Sequence, residues 1–294
     1  MNQIVIKTTN LNKTYGKKKA VEDFTIELES GKVYGLLGRN GAGKTTILKM
    51  ISGLILPTSG ELEVFGSKPF ENANILEKIC LVLETQLWST NEKVTNVFKI
   101  CSEVYPNWDM EYAEKLLKKF NLDKSKKIKQ LSRGMVSSVF IIVGLASKAE
   151  LTIFDEPTLG LDAAIREMFY NEIINEAQDE KRTFILSTHL IEEVHRLFEE
   201  VIIVDQGKLK TYQPLETLRQ SGYYVSGKEQ DVMNAVKGLN VIEMQRLGSL
   251  AVCTVLGDKS EITGKPGIEI EPISLQKLFV HMTEHDKGEN GNEN

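Results

Sequence analysis

The stretch "GRNGAGKTT", Gly38 to Thr46, stands between the apolar run "KVYGLL" and the amphipathic run "KTTILKMISGL". It satisfies the pattern G-x-x-x-x-G-K-[ST] with Gly38, Gly43, Lys44 and Thr45 at the fixed positions. Glycines let the backbone curl so that its N–H groups face an anion, and the helix that follows points its positive end the same way. In such a loop Lys44 is expected to neutralise the β and γ oxygens of a nucleotide, and the Thr45 hydroxyl can ligate Mg²⁺. A glycine turn with an exposed lysine is the bland alternative, and the strand and helix signals on either side weigh against it.

Working outward, "QIVIKT" and "FTIELE" read as strands on the N-terminal side. "ICLVLE" is a further strand, and residues from about Asn91 to Phe120 and again after Ser132 read as a helical insertion. Strand and helix then alternate: "LTIFDE", a helix from Asp162 whose Ile165, Met168, Phe169 and Ile173 share a face, "TFILST", a short helix and "VIIVDQG". Short all-apolar strands separated by amphipathic helices imply a largely parallel sheet covered on both faces. From Ser221 the pattern suits a small second domain to about residue 283, and the polar tail 284–294 is expected to stay disordered.

Two strand ends carry further chemistry. "LTIFDEP" ends in two carboxylates, and parallel strands end together, so Asp155 can face Mg²⁺ while Glu156 points at the γ-phosphate and a water. His189 closes "FILSTH" at the same sheet edge. No role falls to His195, His281 or His285.

Composition sets limits on partners. A chain of 294 residues with 41% hydrophobic content can bury a full core, and its net charge of −5 argues against nucleic acid as main partner. Cys80, Cys101 and Cys253 are scattered without a CxxC, so neither disulfides nor a zinc site is expected. "VFIIVGLA", Val139 to Ala146, falls far short of the roughly 20 residues that span a bilayer. The start "MNQIVIKTTN" lacks the pattern of a signal peptide, and a reducing cytoplasm is expected.

"LSRGM", Leu131 to Met135, places a serine and a glycine ahead of a long apolar helix, an arrangement that offers bare N–H groups to an anion. With the phosphate loop, "LSRGM", "IFDE", "LGLD" (159–162) and "STH" in that order, the chain resembles the ATP-binding subunit of an ABC transporter over roughly residues 2 to 213. The resemblance implies a P-loop NTPase of α/β class. Its sheet would be mostly parallel, with an N-terminal antiparallel β part and a helical subdomain at about 85–147. The nucleotide-binding domain would cover 1–220 and a small α+β domain 221–283. It implies ATP and Mg²⁺ as ligands, contacts from Asn40, Gly41, Ala42 and Thr46 beside the fixed loop residues, and adenine stacking on Tyr15.

It further implies that Ser132 and Gly134 serve an ATP held by a second nucleotide-binding subunit, identical or closely related, with Asp162 at the contact between the two. Arg133 and Met135 stand where the family's usual LSGGQ has Gly and Gln. The family's glutamine at the end of "ICLVLE", which touches the metal, is replaced by Glu84, with Gln86 two residues on as the alternative. Ser132 and Asp162 are also suited to plain helix capping.

Such subunits work at the cytoplasmic face of the membrane through a separate permease. The extension ending "PISLQKLFVHMT" resembles those of bacterial exporters of drugs, antibiotics and cytolytic peptides, phenol-soluble modulins among them. An ATP-gated dimerising regulator or a soluble ABC ATPase is the rival reading. The eight basic residues from Lys115 to Arg133 read as a solvated helix face, with lipid phosphates as a second option. "LW" at 87–88 and "YPNW" at 105–108 suit either a groove for the permease or core packing.

Overall fold

The computed structural model describes residues 3–83, 90–179, 181–189, 191–262 and 264–283. Two compact units emerge: Met1–Leu190 with Arg196–Tyr212, and Ile191–His195 with Gln213–Asn294. Glu84, Gln86, Leu87, Trp88 and the tail 284–294, all given expectations from sequence, lie outside the described residues.

In the first unit, β1 (Ile4–Tyr15), β2 (Lys18–Glu29) and β4 (Ser59–Val64) form an antiparallel sheet in the order β2-β1-β4. β1 runs seven residues past the expected "QIVIKT". Its register shifts between Thr8 and Leu11, where Asn10 takes a φ of 46°, and such a bulge breaks the alternation that marks a strand in sequence.

The six-stranded sheet has the order β5-β6-β7-β3-β8-β9, from β5 (Ile79–Val82), β6 (Leu151–Asp155), β7 (Thr183–Thr188), β3 (Val33–Leu37), β8 (Glu200–Asp205) and β9 (Lys208–Pro214). Its first five strands are parallel. Every residue of β3, β6 and β7 is buried, as expected for a parallel sheet covered on both faces. Gly35 in mid-strand makes room for Phe198, whose ring would lie 2.5 Å from an added Cβ. Leu37 is level with Thr188, and Asp155 with Ser187, so three loops leave the sheet at one edge.

Helices α1 (Lys44–Ile51) and α2 (Ala73–Leu76) precede the helical insertion of α3 (Val94–Val104), α4 (Met110–Lys119) and α5 (Arg133–Ala146). In α6 (Ala163–Glu176), Phe169 and Ile173 are buried as expected, Ile165 and Met168 are half-buried, and Tyr170 and Glu172 join the buried side. Two α6 carboxylates four residues apart tie the insertion to the core. Glu172 takes Tyr112 at 2.6 Å and Lys119 at 2.5 Å, and Glu176 takes Lys148 at 2.8 Å and also Arg182.

Burial of Glu172 opposes its ionisation, but bonds from Lys119 and Tyr112 outweigh it and hold the carboxyl below its ordinary range. Arg182, 3% exposed, also donates to the carbonyls of Gly144 and Leu145 at the end of α5, to that of Ala149 beyond it and to Thr152. Within the basic run, Lys119 and Lys124 are therefore engaged in ion pairs with Glu172 and Glu114. Trp108 packs against Phe98 with ring centroids 5.6 Å apart.

The second unit holds α7 (Ile191–Val194), α8 (Leu215–Arg219), α9 (Glu229–Ala235) and α10 (Leu275–Thr283). Its antiparallel sheet has the order β11-β12-β10-β13, from β11 (Asn240–Leu247), β12 (Leu250–Leu256), β10 (Gly222–Lys228) and β13 (Ile268–Pro272). Tyr223, Val225, Val232, Cys253, Val255 and Ile262 form its core. All three cysteines are free and buried. No described helix is long and apolar enough to cross a membrane.

Candidate functional site

Where β3, β6 and β7 end, an open depression of about 650 Å³ is lined by Tyr15, the loop from Arg39 to Thr46, Asp155, Glu156 and His189. The loop owes its curl to Gly41 and Gly43, with φ of 82° and 106°. Gly43 is also forced by space, because a Cβ there would come 2.5 Å from the Ala20 carbonyl oxygen. At Gly38 the same atom would meet the Val204 carbonyl at 2.6 Å.

Lys44 is only 7% exposed, and its ammonium bonds the Gly38 carbonyl at 2.7 Å and lies 3.5 Å from Glu156 Oε1. A buried lysine against one carboxylate at long range keeps donor capacity for an incoming anion. The Thr45 hydroxyl donates to Asp155 Oδ2 at 2.6 Å. These two hard oxygens lie in contact at the mouth of an anion cradle. That donor chemistry fits Mg²⁺, which takes one or two protein ligands and completes its shell with phosphate and water oxygens.

Glu156, 9% exposed, stands at a φ of 50°, in the left-handed region. Its backbone N–H donates to the Ser187 carbonyl at 3.1 Å, and its Oε2 lies 2.9 Å from His189 Nδ1. A carboxylate partner holds the imidazole proton on Nδ1 and leaves Nε2 able to accept from water. Ser187 bonds Asp155 Oδ1 and also accepts from the Glu156 N–H at 3.2 Å, so one hydroxyl sets both acids. Sequence reasoning passed over Ser187; its signal was its place in "FILSTH", level with Asp155 on the neighbouring strand.

Tyr15 is 49% exposed at the end of β1, with Lys13 Nζ 5.2 Å from its ring centroid. Ser132, Gly134 and Asp162 do not line the depression. Ser132 caps α5 by accepting from Met135 N at 3.2 Å, and Asp162 caps α6 by accepting from Ile165 N at 2.9 Å. Gly134 lies against Gly160, whose carbonyl oxygen would be 2.5 Å from an added Cβ. The capping roles foreseen for Ser132 and Asp162 are thus present, and the two motifs touch each other within one chain.

Residues 21–159 match the family model described as ABC transporter. Across 95% of its length the chain is 31% identical to the bacitracin transport ATP-binding protein BcrA of Bacillus licheniformis, covering 97% of that protein. The chain belongs to the ABC transporter family. Other ABC relatives include the lantibiotic transport ATP-binding protein SrtF of Streptococcus pyogenes, 33% identical over 74% of this chain and 95% of its own. Among solved structures, a bacterial ABC transporter cassette in dimeric form superposes with a TM-score of 0.64 at 25% identity, over 71% of this chain and 98% of that one. The fold is that of an ABC cassette: an antiparallel N-terminal sheet, a parallel-dominated central sheet and helices around them.

Proposed function

We propose that this chain binds and hydrolyses ATP between two nucleotide-binding subunits at the cytoplasmic face of a membrane. It drives export of drugs, antibiotics or amphipathic peptides through a separate permease. One observation carries the reading. Lys44, Thr45, Asp155, Glu156 and His189 converge on a single depression that Ser132, Gly134 and Asp162 do not line, as expected if they serve the nucleotide of another subunit. The transport named for BcrA and SrtF supports the choice of cargo class.

In this reading the adenine stacks on the open face of Tyr15, and the loop N–H groups from Gly41 to Thr46 with Lys44 hold the phosphates. Thr45 and Asp155 would hold Mg²⁺, which would supply positive charge against the phosphates. Glu156 accepts the proton of the attacking water as that water bonds to phosphorus and the γ–β bridge opens. His189, fixed through Nδ1, keeps the water in line. The second subunit's Ser132 hydroxyl and α5 N-terminus complete the shell around the γ-phosphate.

The deciding measurement is the solution mass of purified Glu156→Gln protein with and without Mg-ATP. A shift from monomer to dimer on adding nucleotide is expected. A chain that binds ATP and stays monomeric overturns the pairing of two identical copies.

A further inference from the structure

Away from the ATP site, the second unit contains a cavity of about 590 Å³, within the range of small-molecule sites. Helices α7 and α8, strands β10 and β13, the turn after β12 and the start of α10 all contribute to its wall. Its apolar surface comes from Ile270, half-buried, and Pro272, exposed, backed by the buried side chains of Tyr223, Ile273 and Leu275. Such a concave apolar surface has more to gain from an apolar ligand body than from water.

The polar groups around it are unevenly signed. Carboxylates come from Glu192, Glu216, Asp258 and Glu271, and cations from Arg219 and Lys259. Two negative charges are therefore left over. The Asp258 carboxylate accepts the Ser260 backbone N–H at 2.9 Å, which holds it below the ordinary range and so ionised at neutral pH. Glu192 accepts the Gln276 N–H at 3.0 Å, and Glu216 accepts from Gln220 at 3.1 Å. Arg219 and Glu271 make no ion pair with each other or with another described residue, though both line the same cavity. A rim with an excess of carboxylates beside an apolar wall selects ligands by sign and by hydrophobic bulk together.

We propose that this cavity is a binding site for a small lipophilic cation. The apolar wall takes the body of the ligand, and Glu216 on α8 and Glu271 on β13 supply the excess negative potential. The site is built wholly from the second unit and does not depend on the reading of the ATP site.

Tetraphenylphosphonium and tetraphenylborate, nearly equal in size and opposite in charge, separate sign from bulk. Titrated calorimetrically into the full-length protein, the cation is expected to bind on the order of tenfold more tightly than the anion at low salt. In the double variant Glu216→Gln/Glu271→Gln that preference should fall to within about twofold, with ATP affinity unchanged as a check that the protein is intact. Three results overturn the proposal: no saturable binding of the cation, equal binding of both ions, or a cation preference that survives the double substitution. The last would mean binding elsewhere on the surface.

Discussion

Replacing Gly134 by Ala tests whether "LSRGM" acts on the chain's own nucleotide or on another subunit's. The new Cβ would sit 2.5 Å from the Gly160 carbonyl oxygen, whereas ordinary contact begins at 3.4 Å, so α5 and the 159–162 loop must separate by about 0.9 Å. Overpacking of this kind costs about 1–3 kcal/mol of stability. A displacement near 1 Å of a group that completes a catalytic site costs roughly 100-fold in rate. Gly134 does not line the depression that holds Lys44 and Glu156, so ATP binding by the monomer should change by less than about twofold. The assays are calorimetric titration with ATP and steady-state phosphate release at several protein concentrations. Expected are a preserved Kd, a turnover reduced about 100-fold and a weakened nucleotide-dependent dimer. A Kd raised tenfold or more would place Gly134 in its own chain's site. Turnover within about threefold of the parent would show that the Gly134–Gly160 contact plays no part.

Three further outcomes are expected. Glu156→Gln should lower kcat by about 10²- to 10⁴-fold while ATP still binds, and His189→Ala should act in the same direction without weakening ATP affinity; normal turnover in the first variant removes Glu156 from the mechanism. Arg182→Met leaves Glu176 with Lys148 alone and strips a donor from the carbonyls of Gly144, Leu145 and Ala149, so the first unit should lose about 3 kcal/mol, or roughly 6–12 °C in Tm, in a thermal melt; a shift under about 2 °C would contradict the account. Burial pushes the Cys101 thiol up to about 12 and raises those of Cys80 and Cys253, so a disulfide reagent at pH 8 should label none of the three until denaturant is added; rapid labelling of the native protein would contradict their burial.

The parallel sheet was legible in the sequence because a strand buried on both faces is written as an unbroken apolar run, as in "LTIFD" and "TFILST". Lys44, Thr45, Asp155, Glu156 and His189 could be brought to one edge from the rule that parallel strands end together. β1 was cut short because the bulge at Asn10 hides its period. Ser187 escaped notice because its importance lies in cross-strand register with Asp155, and no local pattern encodes register. The ties from α6 to α4 through Glu172, and to α5 through Glu176 and Arg182, join residues far apart in sequence, and charges on a helix read by default as solvent-facing. For Gly134, spacing marked the residue, but only coordinates reveal the carbonyl oxygen that denies it a side chain.

The left-handed backbone at Glu156 sets folding and chemistry against each other at one position. A non-glycine residue there costs on the order of 1 kcal/mol, which glycine would recover. A library randomised at this codon and sorted only for folded, soluble protein would be expected to drift toward glycine and asparagine. The same library sorted for ATP turnover would hold glutamate. The distance between those two populations measures how much stability the chain forgoes to keep a carboxylate at the edge of its sheet.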